Sequence, residues 1–263
     1  RHYVAPPPAG QGRPMFDRSP TTPPPAGSAL FHLLGTVPLA QALEMQQRLV
    51  DEAAERRDAH AVVLVCEHPP TLTLGRQASR LHLRGEEAWL RAGHEVRWLN
   101  RGGGAVVHAP GQLAVYSIVP LEPFGLTVGR YLDALQRTLD GIAADVRFTP
   151  PAAPDGSTTR RGWWGRTGQI AFVGVAVRNF VAYHGLHINV DPPAELVRRA
   201  AAVGSSIDGD AAPGEASTLA AELRRPVRMP LVRQSVVDRL STALGCARYN
   251  IVSGRPVCGR ATA

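Results

Sequence analysis

The sequence predicts an α/β protein, a mixed α+β sheet flanked by helices. Short apolar runs of strand length recur along the chain, among them Ala61-Val62-Val63-Leu64-Val65, Leu113 to Val119 and Ile170 to Val177. Segments with helical signals fall before, between and after them, at 39–58, 127–144 and 231–243. Strands gathered between helices form a sheet with helical cover.

The elements follow in order. Residues 1–27 hold Pro6-Pro7-Pro8 and Pro23-Pro24-Pro25, which favour polyproline II and cannot build a core, so they read as a disordered arm. A globular domain is expected from 28 to 245. Leu30 to Val37 reads as a strand. Pro38 stands at a helix start; Leu39, Leu43, Met45, Leu49 and Val50 give 39–58 an apolar face, opposite Glu52, Glu55, Arg56 and Arg57. Ala61 to Val65 is a buried strand, Thr71 to Leu74 a short extended one, and Glu86 to Arg91 a short helix. Glu95 to Leu99, Ala105 to His108 and Leu113 to Val119 are strands around a glycine loop. Thr127 caps a helix that runs to Ala144, with Val128, Leu132, Leu135 and Leu139 on one face. Residues 149–160 are a Pro/Ala/Gly/Thr loop. Trp163-Trp164, Ile170 to Val177 and Val181 to Val190 are strands paired in sequence. Pro192-Pro193 opens a short helix, Ala194 to Arg199. Small polar residues make 204–216 a loop, and helices follow over 217–224 and 231–243. The tail, 246–263, is expected to be loosely ordered.

A chain of 263 residues with 44% hydrophobic content suits one globular domain with tails. The net charge of +7 favours acidic partners. Nucleic acid is not expected, because the 29 basic residues, every one an arginine, are scattered in pairs at most, with no basic run and no aromatic ladder. Cys66, Cys246 and Cys258 are an odd set without metal spacing, so neither a disulfide framework nor a metal is expected. No apolar run is long enough to span a membrane. The start, Arg1-His2-Tyr3-Val4, has no apolar signal region, and a cytoplasmic location is expected.

The richest stretch is Arg101-Gly102-Gly103-Gly104-Ala105-Val106-Val107-His108-Ala109-Pro110-Gly111-Gln112-Leu113. Glycines let backbone N–H groups approach a ligand closely. Arginine forks onto a carbonyl, carboxylate or phosphate, and histidine moves protons near neutral pH. This stretch resembles the acyl-binding loop of the lipoyl(octanoyl) transferases, relatives of the lipoate and biotin protein ligases. Three further segments match that family in the same order: Glu67-His68-Pro69-Pro70-Thr71-Leu72-Thr73-Leu74-Gly75-Arg76, Gly168-Gln169-Ile170-Ala171-Phe172-Val173-Gly174 and His184-Gly185-Leu186-His187-Ile188-Asn189-Val190. Four ordered motifs are more specific than any one of them.

The resemblance implies the biotin/lipoate protein ligase catalytic fold. It implies transfer of an octanoyl group from octanoyl-acyl carrier protein to a lysine on a lipoyl domain of a 2-oxoacid dehydrogenase or a glycine-cleavage protein, without a cofactor. The implied lining is Arg101, Gly102, Gly103, Gly104, Ala105, Val106, Val107 and His108, with Phe172, Val173, Gly174, Gly185, Leu186 and His187. The family uses a cysteine nucleophile beside a lysine. Motif counting puts Gln169 at the lysine position and Val203, in Ala202-Val203-Gly204, at the cysteine position. The chain has no lysine at all. Ser205 or Ser206 replaces the thiol only with a base in reach, His108 or His187. His187 stands where the family has a small residue and is either a substitute base or a filler. His184 is expected to orient its strand, Glu67 and His68 to form a pocket wall, and Cys66 to be a small buried hydrophobe. Three readings follow: a transferase with a direct or relocated mechanism, a non-catalytic paralogue that binds acyl groups or carrier proteins, and an ATP-dependent ligase. The ligase needs a pocket lysine, which this chain lacks.

Overall fold

The computed structural model describes residues 27–78, 86–151, 161–201 and 216–256. The Pro-rich arm through residue 26, the loop over 152–160, Val203, Ser205 and Ser206 within 202–215, and Cys258 with the end of the tail lie outside the described residues.

The chain runs β1 (Gly27–Thr36), α1 (Leu39–Arg56), β2 (His60–Glu67), β3 (Thr71–Leu74), α2 (Glu86–Arg91), β4 (Glu95–Trp98), β5 (Ala105–His108) and β6 (Gln112–Pro120). It continues through α3 (Val128–Val146), β7 (Gly162–Trp164), β8 (Gln169–Arg178), β9 (Val181–Asn189), α4 (Ala194–Ala201), α5 (Leu219–Leu223), α6 (Met229–Ala243) and β10 (Cys246–Ser253). A seven-stranded sheet has the order β10-β1-β2-β6-β9-β8-β7. β10, β1 and β2 are parallel; every later neighbour pair is antiparallel. Parallel β1 and β2 need a crossover, and α1 supplies it. A three-stranded sheet, β4-β3-β5, stands apart from the large one.

Each face of the large sheet meets helices. α1 buries Leu39, Ala42, Met45, Leu49, Val50 and Ala53, a stripe at three- and four-residue spacing. That stripe packs on Val62, Leu64, Cys66, Ala114, Tyr116 and Ile118, alternate residues of β2 and β6. The opposite face, with Val63, Val65, Leu113, Val115, Leu186 and Ile188, meets α3 and α6 through Tyr131, Leu135, Leu139, Val236 and Leu240. α3 begins where Thr127 accepts a hydrogen bond from the Arg130 N–H, and ends at Arg147 in a left-handed conformation. β6 is buried along its whole length because it lies in mid-sheet, with helices over both faces.

The expected tail is corrected at Cys246. Residues 246–253 form β10, which adds a parallel edge to β1, with Phe31 and Tyr249 edge-on at 6.0 Å between ring centroids. Its side chains are largely exposed, so it carries no apolar run that sequence patterning detects.

Candidate functional site

The alternation of side chains along β2, β6, β8 and β9 puts His68, Tyr116, Phe172, Gly174 and His187 on the face of the sheet that α1 covers. Tyr116 pairs with Gly185, and Phe172 with His187, across neighbouring strands. The small sheet contributes Thr73 and His108, and the loop between β4 and β5 contributes Arg101. The result is a buried polar cluster where the two sheets meet.

The glycine loop is held from below by the Leu74-Gly75-Arg76 turn. Gly75 N donates to the Gly104 carbonyl at 3.0 Å, Arg76 N to the Arg101 carbonyl at 2.9 Å and Gln77 N to the Gly103 carbonyl at 3.1 Å. A Cβ on Gly75 would sit 2.3 Å from the Gly103 oxygen, so only glycine fits that contact. On its other side the loop docks on β8: Gly102 N donates to the Val175 carbonyl at 3.0 Å, and a Cβ on Gly174 would meet the Gly102 oxygen at 2.9 Å. The glycines themselves are half-buried and lie along β8 at half-buried Val173 and at Val175, so the rim of the cluster reaches solvent here.

Arg101, expected among the lining, is turned inward away from solvent. It is 2% exposed. Its Nη2 donates to the Thr73 carbonyl at 3.1 Å and to Thr73 Oγ1 at 2.8 Å, and its Nη1 to the Gly102 carbonyl at 3.1 Å. Its hydrogen bonds go to carbonyl and hydroxyl oxygens. Burial draws its guanidinium down to about 10, which still leaves it charged at neutral pH. Thr73 Oγ1 also lies 2.9 Å from His108 Nε2 and donates to the Val106 carbonyl at 3.3 Å.

The rings form a chain of contacts. His108 lies 5.4 Å from His68 and 4.8 Å from His187, and Tyr116 lies 5.7 Å from His68 and from His187. His68 is fully engaged, with Nδ1 2.7 Å from the Val37 carbonyl and Nε2 2.8 Å from the Tyr116 hydroxyl. His184, at φ 63°, receives no such pair; its backbone N–H donates to Gln46 Oε1 at 2.8 Å. Among the described residues, His108 Nδ1, His184 Nδ1, His187 Nε2 and Arg101 Nε are buried without a hydrogen-bond partner. Burial holds all four imidazoles below the ordinary histidine range, and the Arg101 charge adds to this for His184, His187 and His108. His184 falls to about 3. Burial pushes the Tyr116 phenol and the Cys66 thiol up, so both keep their protons. No group of three or more His, Cys, Asp or Glu among the described residues is arranged to hold a metal ion.

Alternation also divides the expected lining. Val106, His108, Phe172, Gly174 and His187 share the cluster's side, whereas Ala105 and Val107 pack into the small sheet's own core with Leu72, Leu74 and Trp89. Leu186 is fully buried in the α3/α6 core, and Val173 packs against it. A contiguous run in a strand faces two ways, so these four line cores and not the cluster. Glu67 braces the turn after β5: it accepts from Gly111 N at 2.8 Å and pairs with Arg233. Gln169 opens β8; its Nε2 donates to the Ala171 carbonyl at 3.1 Å, and its own carbonyl accepts from Ser217 N at 2.9 Å.

Thr73, Tyr116 and Asn189 were missed as site residues. Each is a buried polar group within a buried strand, and that is the signal to read. Asn189 links the regions: Gln112 Nε2 donates to its Oδ1 at 2.8 Å, and its Nδ2 donates to the Ser217 carbonyl at 3.0 Å.

Residues 38–244 match the family model for the lipoyl protein ligase A/B catalytic domain. An octanoyltransferase of Chloroflexus aggregans is 34% identical over 232 residues, covering 87% of this chain and 96% of that protein. One from Geobacter metallireducens is 32% identical over 209 residues, covering 78% of this chain and 89% of that protein. Among solved structures, a bi-partite lipoate protein ligase from Thermoplasma acidophilum has the same fold, with a TM-score of 0.56 at 16% identity, over 86% of this chain and 87% of that one. Matched along most of its length to that family model and to octanoyltransferases, the chain belongs to the lipoyl protein ligase A/B catalytic domain family.

Proposed function

We propose that the chain transfers an octanoyl group from octanoyl-acyl carrier protein to a lysine of a lipoyl domain, on a 2-oxoacid dehydrogenase or a glycine-cleavage protein. The observation that carries this reading is the near end-to-end match to octanoyltransferases, 87% of this chain against 96% of one relative. The half-buried glycine loop on β8 supports it as the place for the thioester. Gly102 N is engaged with Val175, so Gly103 N and Gly104 N are the backbone donors left to hold the thioester oxygen. The basic net charge of +7 suits an acidic carrier.

In this reading the transfer is direct. Val203, at the position of the cysteine, has no acceptor atom. Gln169, at the position of the lysine, carries no charge and is turned onto the Ala171 carbonyl. Holding carrier thioester and acceptor amine together lowers the barrier without a covalent intermediate. A second reading, a non-catalytic paralogue that binds acyl groups or carrier proteins, draws on the same inert pair.

Incubation with octanoyl-carrier protein and a lipoyl domain, followed by intact-mass analysis of all three proteins, tests both. Direct transfer gives an octanoyl mass on the lipoyl domain and none on this chain. Binding without any modified lipoyl domain supports the paralogue. An octanoyl adduct on this chain, at Ser205, Ser206 or elsewhere, overturns the direct route.

A further inference from the structure

We propose that His187 Nε2 is the proton carrier of the transfer, and so a catalytic residue. The proposal rests on the acyl-transfer reading above.

It follows from which groups of the buried cluster are free to act. Cys66 is buried, with its Sγ 3.7 Å from His68 Nε2. Both His68 nitrogens are engaged with Val37 and Tyr116, and the Tyr116 hydroxyl is held by His68. His108 and His184 each have an unpartnered Nδ1 too, but His108 is anchored through Nε2 to Thr73, which Arg101 holds in turn, and the His184 ring packs against Tyr183 and Tyr116. His187 is 2% exposed, and its Nε2 has no hydrogen-bond partner among the described residues. A buried nitrogen without a partner costs stability, so its retention points to a group that arrives with the substrate. Its cross-strand partner on β8 is half-buried Phe172, which precedes Val173, the residue whose carbonyl lies near Gly103. Two residues on, Asn189 holds Ser217 at the return of the chain from the 202–215 span.

The step balances without a further reagent. The neutral amine of the acceptor lysine attacks the thioester carbonyl carbon, and a C–N bond forms. His187 Nε2 takes a proton from that nitrogen. The C–S bond breaks, and the same proton passes to the departing sulfur, leaving an amide and a carrier thiol. The groups that face His187 are His108 from β5, Tyr116 from β6, His68 from the turn after β2, His184 on its own strand, and Arg101. None of them is an acid that would hold an imidazolium in place, and Arg101 opposes it. The proton is therefore passed on rather than stored.

The test is octanoyl transfer by the wild-type chain, His187→Ala and His187→Gln, with and without added imidazole. General-base catalysis contributes ~100-fold or more, so both variants are expected to lose at least that in kcat, while KM for octanoyl-carrier protein stays within ~3-fold. Imidazole enters the space left by His187→Ala and restores part of the rate. His187→Gln preserves bulk and hydrogen bonding but does not take up a proton, so it stays slow. A His187→Gln chain near the wild-type rate, or a His187→Ala chain that imidazole does not revive, overturns the proposal and makes His187 a filler. A wild-type chain that binds octanoyl-carrier protein and transfers nothing overturns the acyl-transfer reading itself, a separate result.

Discussion

Arg101 is the residue on which the glycine loop turns. A charged side chain buried at 2% exposure needs hydrogen-bond partners, and Arg101 has them at both Nη atoms though not at Nε. Thr73 and the Gly102 carbonyl match Nη1 and Nη2, and the Gly75–Gln77 backbone ties up the loop's carbonyls from below. Loop and site are therefore one mechanical unit. Adding a single methyl at Gly75 tests this. Gly75→Ala drives its Cβ against the Gly103 backbone oxygen at 2.3 Å, a contact that no rotamer relieves because the backbone fixes where a Cβ sits. The chain is expected to lose about 1–3 kcal/mol, the usual cost of overpacking, and to bind octanoyl-carrier protein at least tenfold more weakly. Urea unfolding and calorimetry read the two effects. Unchanged binding in a destabilised chain separates the loop from the site. The Arg-Gly-Gly-Gly pattern announces a loop that approaches a ligand. It does not announce that the arginine points inward, because that depends on a threonine 28 positions earlier in another strand.

At the level of elements, Glu222 joins three pieces of chain. Its side chain, 4% exposed, accepts from Arg166 N at 2.9 Å, Thr167 N at 3.1 Å, Thr167 Oγ1 at 2.7 Å and Ser217 Oγ at 3.1 Å. Burial pushes its carboxyl upward, but these hydrogen bonds outweigh burial and leave it below its ordinary value. Through them α5 fixes the β7–β8 turn and also Ser217, which bonds Gln169 and Asn189. Glu222→Ala removes the acceptor and strands these donors; hydrogen bonds to a charged group are worth about 1.5–3 kcal/mol, and a loss in that range is expected. Hydrogen exchange should quicken at the Thr167 and Ser217 amides. Protection that persists at both shows that the turn is held by other contacts. Helices α1, α3 and α6 and the apolar strands were legible because periodicity reports burial on one face. β10 was not, because it is an exposed edge whose place is set by pairing with β1 at the far end of the chain. The split of the site motifs was half legible. Alternation assigns Val106 and His108 to one side and Ala105 and Val107 to the other, but only the sheet order tells which side is the site.

For the whole molecule, the cluster of buried histidines sets a pH limit on folding. His108, His184 and His187 are held as neutral rings, each well below the 6.5 of a free imidazole. Above that value neither state binds a proton there, and the groups do not affect stability. As pH falls below 6.5 the unfolded chain takes up protons that the native cluster refuses, so stability declines, and it goes on declining until the native rings titrate; for His184 that is near 3. With an unfolded value of 6.5, one such group loses about 1.4 kcal/mol in all between pH 7.5 and 5.5, so these three remove about 4 kcal/mol, and the lowered His32, His60 and His68 act in the same direction. Carboxylates do not explain such a loss, since the lowered Asp145 and Glu222 act only at lower pH. Self-repulsion of a chain carrying +7 acts in the same direction but is screened by salt, whereas a desolvated interior ring is screened little. Urea unfolding at pH 7.5 and 5.5, each at low and high salt, separates the two. A loss that persists in high salt is the buried-imidazole effect, and His187→Gln should reduce it by about 1.4 kcal/mol, the share of one group, because glutamine does not titrate. A loss that vanishes in high salt assigns the whole effect to surface charge and contradicts a neutral cluster.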